Sequence, residues 1–226
     1  TRHWVLTLFE RLTAEQLPFY LELMRHLAGK GIPVPAPQAD AQGRILHTVC
    51  GKPAALVDRL PGWHQLAPDA HHCAQVGAML ARMHEAGRDF ALHQPNLRGL
   101  PWWNETAALV LPHLDAAQAE LLQSELAYQN QLAATAAYAQ LPRGPIHADV
   151  FRDNVMFEPG EGVGLERLSG FFDFYFAGVD TFLFDIAVCL NDWCIDLTAG
   201  HTEPERAWAF VAAYQTVRPL ITTEQR

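Results

Sequence analysis

Basic charge is what this chain has least of: 16 lysines and arginines stand against 25 aspartates and glutamates, for a formal net charge of −9 at pH 7. No basic run or arginine-rich face appears, which excludes a dedicated nucleic-acid surface, because gripping a phosphate backbone needs clustered cations. Cysteine is scarce as well. Cys50, Cys73, Cys189 and Cys194 form neither a paired framework nor a CxxC motif, so a disulfide scaffold is excluded and reduced thiols are expected. Long hydrophobic stretches are missing too. Runs such as 107–111 and 186–190 fall far short of the ~20 residues a membrane-spanning helix needs. Repeats and low-complexity tracts are absent, and the opening residues do not read as a secretory signal. These absences point to a cytoplasmic protein whose partner is a small polar molecule rather than nucleic acid or membrane. They leave its oligomeric state open.

What is present is core-forming material, since half of the 226 residues are hydrophobic, enough for a substantial interior. Residues 4–9 alternate and favour a strand. Thr13-Ala14-Glu15-Gln16 has a capping-box pattern ahead of Leu17, Tyr20, Leu21, Met24 and Leu27 at helical spacing, with Pro18 expected to delay the helix start. A proline-spaced connection over 31–37 leads to two strand-like runs, 45–50 and 54–60, with Gly51-Lys52 as the expected hairpin turn. Beyond Leu60-Pro61-Gly62 the pattern turns helical. Asp69 caps a run in which Cys73, Val76, Leu80 and Met83 share a face. Residues 94–104 form an aromatic, proline-containing loop, and 115–140 an alanine- and leucine-rich helix with Leu121, Leu122, Leu126 and Leu132 as core candidates. The change from β to α at 58–65 predicts two lobes, a partial N-terminal lobe of strands and one helix over 1–60 and a mainly helical C-terminal lobe over 61–226, with a cleft between them.

The chemistry concentrates in one stretch, His147-Ala148-Asp149-Val150-Phe151-Arg152-Asp153-Asn154, followed by Asp173 between phenylalanines. Asp149 can take a proton, Asn154 can offer a neutral oxygen and Asp173 an anionic one to a hard cation, which is the equipment of metal-assisted phosphoryl transfer. The Asp-to-Asn interval is the one protein kinases use. Any one of these residues alone is more often a surface or capping group; their ordered combination is what carries weight. Asp153 suits a turn, and Asp185, between Phe184 and Ile186, suits a buried hydrogen-bonder. His71-His72-Cys73 are adjacent on a helix and cannot all face one zinc ion. Trp102 and Trp103 fit either a cleft wall or a core anchor. A metal-dependent hydrolase with His147, Asp149 and Asp173 as ligands is a rival reading of the same residues.

With Leu6-Thr7-Leu8-Phe9-Glu10, the word from Gly77 to His84, the His147–Asn154 loop, Phe172-Asp173-Phe174-Tyr175-Phe176-Ala177, Phe184-Asp185-Ile186-Ala187 and Asn191-Asp192-Trp193-Cys194, the chain resembles the aminoglycoside phosphotransferase and choline kinase superfamily. Within it, the likeness is to homoserine kinases of the choline kinase-like type. The resemblance implies an α+β, protein-kinase-like two-lobed fold, ATP as co-substrate with Mg2+, and the hydroxyl of L-homoserine as acceptor, in threonine biosynthesis. An aminoglycoside or choline acceptor is the alternative within the superfamily, and a catalytically inactive kinase-fold binding module is the alternative outside it. Asp149 is then the catalytic base, His147 orients the loop, Asn154 and Asp173 hold magnesium, and Asp185 braces the loop. Adenine is expected at the backbone of Val57, Asp58, Arg59 and Leu60, where the chain leaves a strand for the inter-lobe connection. Asp192 is a candidate partner for the substrate ammonium and Arg152 for its carboxylate, with Trp193 or Tyr175 as a wall. Thr7 stands where a phosphate-pairing lysine is often found. A glycine-rich loop would come before residue 1 and closing helices after Arg226, so the chain is expected to be a fragment of a longer protein.

Overall fold

Three antiparallel strands and a helix make up the first quarter of the computed structural model, which describes residues 3–162 and 165–225. Strands β1 (Trp4–Leu8), β2 (His47–Val49) and β3 (Lys52–Asp58) pair in the order β1-β3-β2. The β2–β3 turn is Cys50-Gly51, one residue earlier than expected. Both residues have positive φ, +51° and +77°, which is the backbone twist a two-residue hairpin needs. Lys52 therefore belongs to the strand. Helix α1 (Leu17–Gly29) buries Leu17, Tyr20, Leu21, Met24 and Leu27. Pro18 sits in its first turn, where a missing amide costs nothing. The Thr13 motif closes a turn ahead of the helix, with the Thr13 amide donating to Gln16 Oε1 at 2.9 Å.

Helices dominate the remainder: α2 (Ala70–Gly87), α3 (Leu100–Val110), α4 (Ala116–Ala133), α5 (Ala136–Ala139), α6 (Phe182–Trp193) and α7 (Pro204–Val217). Among them lie three two-stranded ladders, β4 (Arg143–Ile146) with β7 (Gly178–Thr181), β5 (Val155–Pro159) with β6 (Glu166–Phe171), and β8 (Ile195–Asp196) with β9 (His201–Thr202). Asp69 caps α2 in a reciprocal box with His72, and Cys73, Val76, Leu80 and Met83 are all buried. At Gly77, α2 meets α7 so closely that an added Cβ would lie 2.2 Å from the Phe210 carbonyl oxygen. Only glycine permits that approach.

Two expectations are corrected. Residues 94–104 are not all loop, because α3 begins at Leu100 with Pro101 in its first turn; a proline that stops a helix interior is well suited to starting one. The long helix over 115–140 is two, α4 and α5, and α4 buries none of its residues: Leu121 is 70% exposed. An Asp115–Gln118 capping box holds its start. Leucine spacing marks the apolar side of a helix but does not say whether another element covers it.

One apolar cluster runs through both halves, from Leu17, Tyr20 and Val57 to Val76, Phe157, Phe171, Trp193 and Phe210. A backbone bond stitches the halves along the same line, Phe171 N–H donating to Pro33 O at 3.1 Å. Within the second half, Trp63 and Phe157 exchange amide bonds, both 2.8 Å. The strap after Leu60 thus lies along β5, and the cleft opens above it.

Candidate active site

The loop between β4 and β5 is built around a carboxylate that does not belong to it. Asp185, in the first turn of α6 and wholly buried, accepts the His147 amide at 2.8 Å, the Ala148 amide at 2.6 Å and His84 Nε2–H at 3.0 Å. Two loop amides that the turn would leave orphaned are satisfied this way. Ala148 is left-handed, φ +65°, a conformation that costs a residue with a Cβ about 1 kcal/mol, and the two bonds to Asp185 offset it. The buried His147 ring accepts the Asp149 amide at Nδ1, 3.2 Å, and donates from Nε2 to Phe172 O, 2.8 Å. With both nitrogens engaged, His147 has no lone pair for a metal, and the hydrolase reading loses a ligand.

Asn154 closes the loop on itself. Its Nδ2 donates to Asp149 O at 2.8 Å and to Asp149 Oδ2 at 2.9 Å, which turns its amide oxygen to the opposite side. Phe172 is clamped from two directions, by His147 Nε2 on its carbonyl and by its own amide donating to Asn154 O at 3.1 Å. The next residue, Asp173, is left-handed, φ +63° and ψ +56°. Burial pushes the Asp149 carboxyl above its usual range; His147 opposes the shift and the negative charge of Asp173 adds to it. Asp149 and Asn154 are in direct contact, and Asp173, the residue after the Phe172 whose amide bonds Asn154 O, lies near enough for its charge to act on Asp149. An amide oxygen and a carboxylate are hard donors of the kind Mg2+ takes together with phosphate oxygens and water, so the residues present fit that ion. Among the described residues no cluster of three histidine, cysteine or acidic side chains with metal-binding geometry occurs.

A cavity of about 480 Å3 lies between the sheet and this loop, and Val57, Asp58, Arg59, Leu60 and Asp173 all line it. The amides of Asp58 and Arg59 are already bonded, to Ala36 O at 3.0 Å and His3 O at 3.1 Å, so neither is offered to a purine. Thr7 and Tyr175 form the far wall. The Tyr175 phenol is pushed up to about 12 by burial and by the Asp173 charge, against a hydrogen bond with the Thr7 side chain. Its ring meets Phe9 and Tyr20 edge-on, with centroids 4.9 and 5.9 Å away. Thr7 and Tyr175 thus form a hydroxyl pair packed on aromatics.

A model of the phosphotransferase enzyme family (APH) matches residues 1–220. The chain belongs to this family. It is similar to curated homoserine kinases from Polaromonas naphthalenivorans, 64% identical over 98% of this chain and 68% of that protein, and Cupriavidus pinatubonensis, 60% identical over 99% and 67%. The chain thus spans about two thirds of their length. Among solved structures it is similar to an amicoumacin kinase in complex with AMP-PNP, Ca2+ and Ami, with TM-score 0.73 and 18% identity over 96% of this chain and 66% of that one. An aminoglycoside phosphotransferase from Alicyclobacillus acidocaldarius gives TM-score 0.68 and 17% identity over 99% and 70%. At those identities the likeness is one of fold, and it agrees with the α+β, kinase-like architecture expected from sequence.

Three of the expected substrate residues of this phosphotransferase have other work. Arg152 is buried, and its guanidinium donates to the carbonyls of Leu66 (3.1 Å), Ile195 (3.1 Å) and Asp192. Asp192 Oδ2 accepts the Arg152 amide at 2.8 Å. The two are tied together, and the buried guanidinium is not left for a substrate carboxylate, while one oxygen of the partly exposed Asp192 holds the loop amide. Trp193 is completely buried and its indole donates to Val150 O at 2.8 Å; it supports the loop from beneath and forms no wall. Charge type and closeness in sequence had suggested all three, but neither property reports burial.

Sequence assigned no role to His84, which links Asp185 to Tyr214 through Nδ1 and the phenol oxygen, 2.8 Å apart. Arg218 donates to that same phenol oxygen at 3.2 Å and to Glu224 at 2.9 Å. Because the Asp185 carboxylate can only accept, the proton of the neutral His84 sits on Nε2, and the Tyr214 hydroxyl donates to Nδ1. A histidine four residues after Leu80 on a buried helical face was the available sign of a hydrogen-bonded interior. Arg98 is the other residue that sequence patterning does not single out.

Proposed function

We propose that this protein is a small-molecule kinase that transfers the γ-phosphate of ATP to the hydroxyl of L-homoserine, a step toward threonine. What carries the reading is the placing of Asp149 against Asn154 beside Asp173 in a chain similar, over nearly its whole length, to homoserine kinases. Asp149 takes the proton of the acceptor hydroxyl, with Asn154 Nδ2 holding its carboxylate in position. Asn154 Oδ1 and the Asp173 carboxylate hold magnesium. Bound there, the ion supplies charge neutralisation on the ATP phosphates. His147 and Asp185 keep the loop in its left-handed path. Adenine lies in the cavity at 57–60, and with two amides already taken, the Leu60 N–H is the hinge donor for the purine edge. Residues 1–60 and 61–226 act as the two lobes of this cleft, and reduced thiols suit a cytoplasmic setting.

The test gives the protein magnesium-ATP with homoserine, choline and kanamycin in parallel and follows ADP release. Homoserine alone should drive it, and turnover with choline or kanamycin but not homoserine would overturn the acceptor. Asp149→Asn should lower kcat at least ~100-fold with ATP affinity, measured by titration, largely intact. Near-normal turnover would remove Asp149 from the role of base.

A further inference from the structure

A second cavity, of about 600 Å3, adjoins the nucleotide cavity across their shared wall of Thr7 and Tyr175, and Glu10, Arg11, Arg98 and Phe176 also line it. Its charges do not cancel. Glu10 is paired with Lys52, whereas neither Arg11 nor Arg98 forms an ion pair with a described carboxylate. A strongly acidic chain thus presents a positive pocket beside its candidate active site, which selects for an anionic group. Resting on the acceptor reading above, we infer that Arg98 binds the carboxylate of the acceptor amino acid and so sets specificity.

Arg98 is held in place, and Arg11 has no comparable support among the described residues. The Arg98 guanidinium lies 4.7 Å from the Trp102 ring and 5.4 Å from the Phe176 ring. Stacking on two aromatic faces leaves the N–H edge of the guanidinium for a ligand, and that edge matches a planar carboxylate with two parallel bonds. The backbone beneath it is sewn to the strand that leaves the Asp173 turn. Arg98 N–H donates to Asn96 Oδ1 at 2.9 Å, Asn96 Nδ2 to Asp180 Oδ2 at 3.0 Å, and Val179 N–H to Gln94 O at 2.7 Å. The arginine is therefore registered against the same segment that carries Asp173, which is how a binding group keeps its distance from the chemistry. Arg152, the alternative from sequence, has both terminal nitrogens on backbone carbonyls.

The experiment compares homoserine with 3-aminopropan-1-ol, which keeps the hydroxyl and amine but lacks the carboxylate. The ratio of the two kcat/KM values is the readout, and because it does not depend on the active fraction, a partly misfolded variant remains informative. Arg98→Ala should reduce the preference for homoserine roughly 10- to 100-fold, as expected for losing a charged hydrogen-bonded pair, chiefly through the KM for homoserine. Arg98→Lys, which keeps charge but not the fork, should fall between. An unchanged ratio overturns the inference, and so does a rise in the KM for ATP as large as that for homoserine, which would place Arg98 on the nucleotide. If the wild-type protein releases no ADP with homoserine, the acceptor reading falls and this inference with it. If it does and the ratio survives Arg98→Ala, this inference falls alone.

Discussion

His84 shows how one buried side chain couples stability to the loop that carries Asp149. Burial lowers its pKa below the usual histidine value of 6.5, outweighing the opposing pull of Asp185. A histidine kept neutral in the folded state contributes no pH dependence above 6.5, while below it the unfolded chain takes up a proton that the folded chain refuses. Stability should therefore fall as pH drops through about 6.5, by up to ~1.4 kcal/mol per pH unit. Urea midpoints between pH 8 and 5 measure it, and His84→Gln should flatten that slope; an unaltered slope would assign the proton elsewhere. Asp185 accepts three hydrogen bonds, and an asparagine there would turn an N–H2 toward one of the donors. Asp185→Asn should cost about 3 kcal/mol in denaturant unfolding and lower turnover with it.

Elements meet through single residues whose demands oppose their local propensity. Alanine at 77 would favour an isolated helix by about 1 kcal/mol, but in α2 its Cβ would strike the Phe210 carbonyl, and backbone cannot swing aside. Overpacking wins, so Gly77→Ala should destabilise the protein by about 2 kcal/mol, read as a lowered midpoint without a change of m-value. Leu121 on α4 is the opposite case. At 70% exposure, Leu121→Gln should stay within about 0.5 kcal/mol of wild type, and a larger loss would mean that another surface covers α4.

On the scale of the whole molecule, the two lobes are divided by a cleft but not by their core. The cluster from Leu17 through Val57 to Phe157 and Phe210 is continuous, and the Pro33–Phe171 bond ties the halves below the cleft. Melting should give a single calorimetric transition with equal calorimetric and van't Hoff enthalpies. Two resolved transitions would show that 1–60 and 61–226 fold apart. Among the described residues no helix is long and apolar enough to cross a membrane.

Sequence by itself determined the elements whose periodicity met a core, α1 and α2 above all, the α+β class, and the interval that sets Asp149 and Asn154 on one tight loop, because local spacing and backbone preference act within a few residues. It read 100–104 and α4 less well, since a proline's meaning depends on its helix position and a leucine stripe on what lies opposite. Only the tertiary structure decided which charges are spent internally. Arg152 and Asp192 are locked together, Arg98 is left facing a cavity, and His84 reaches Asp185 from 101 positions away; burial and pairing are properties of packed neighbours, and no stretch of chain contains its own.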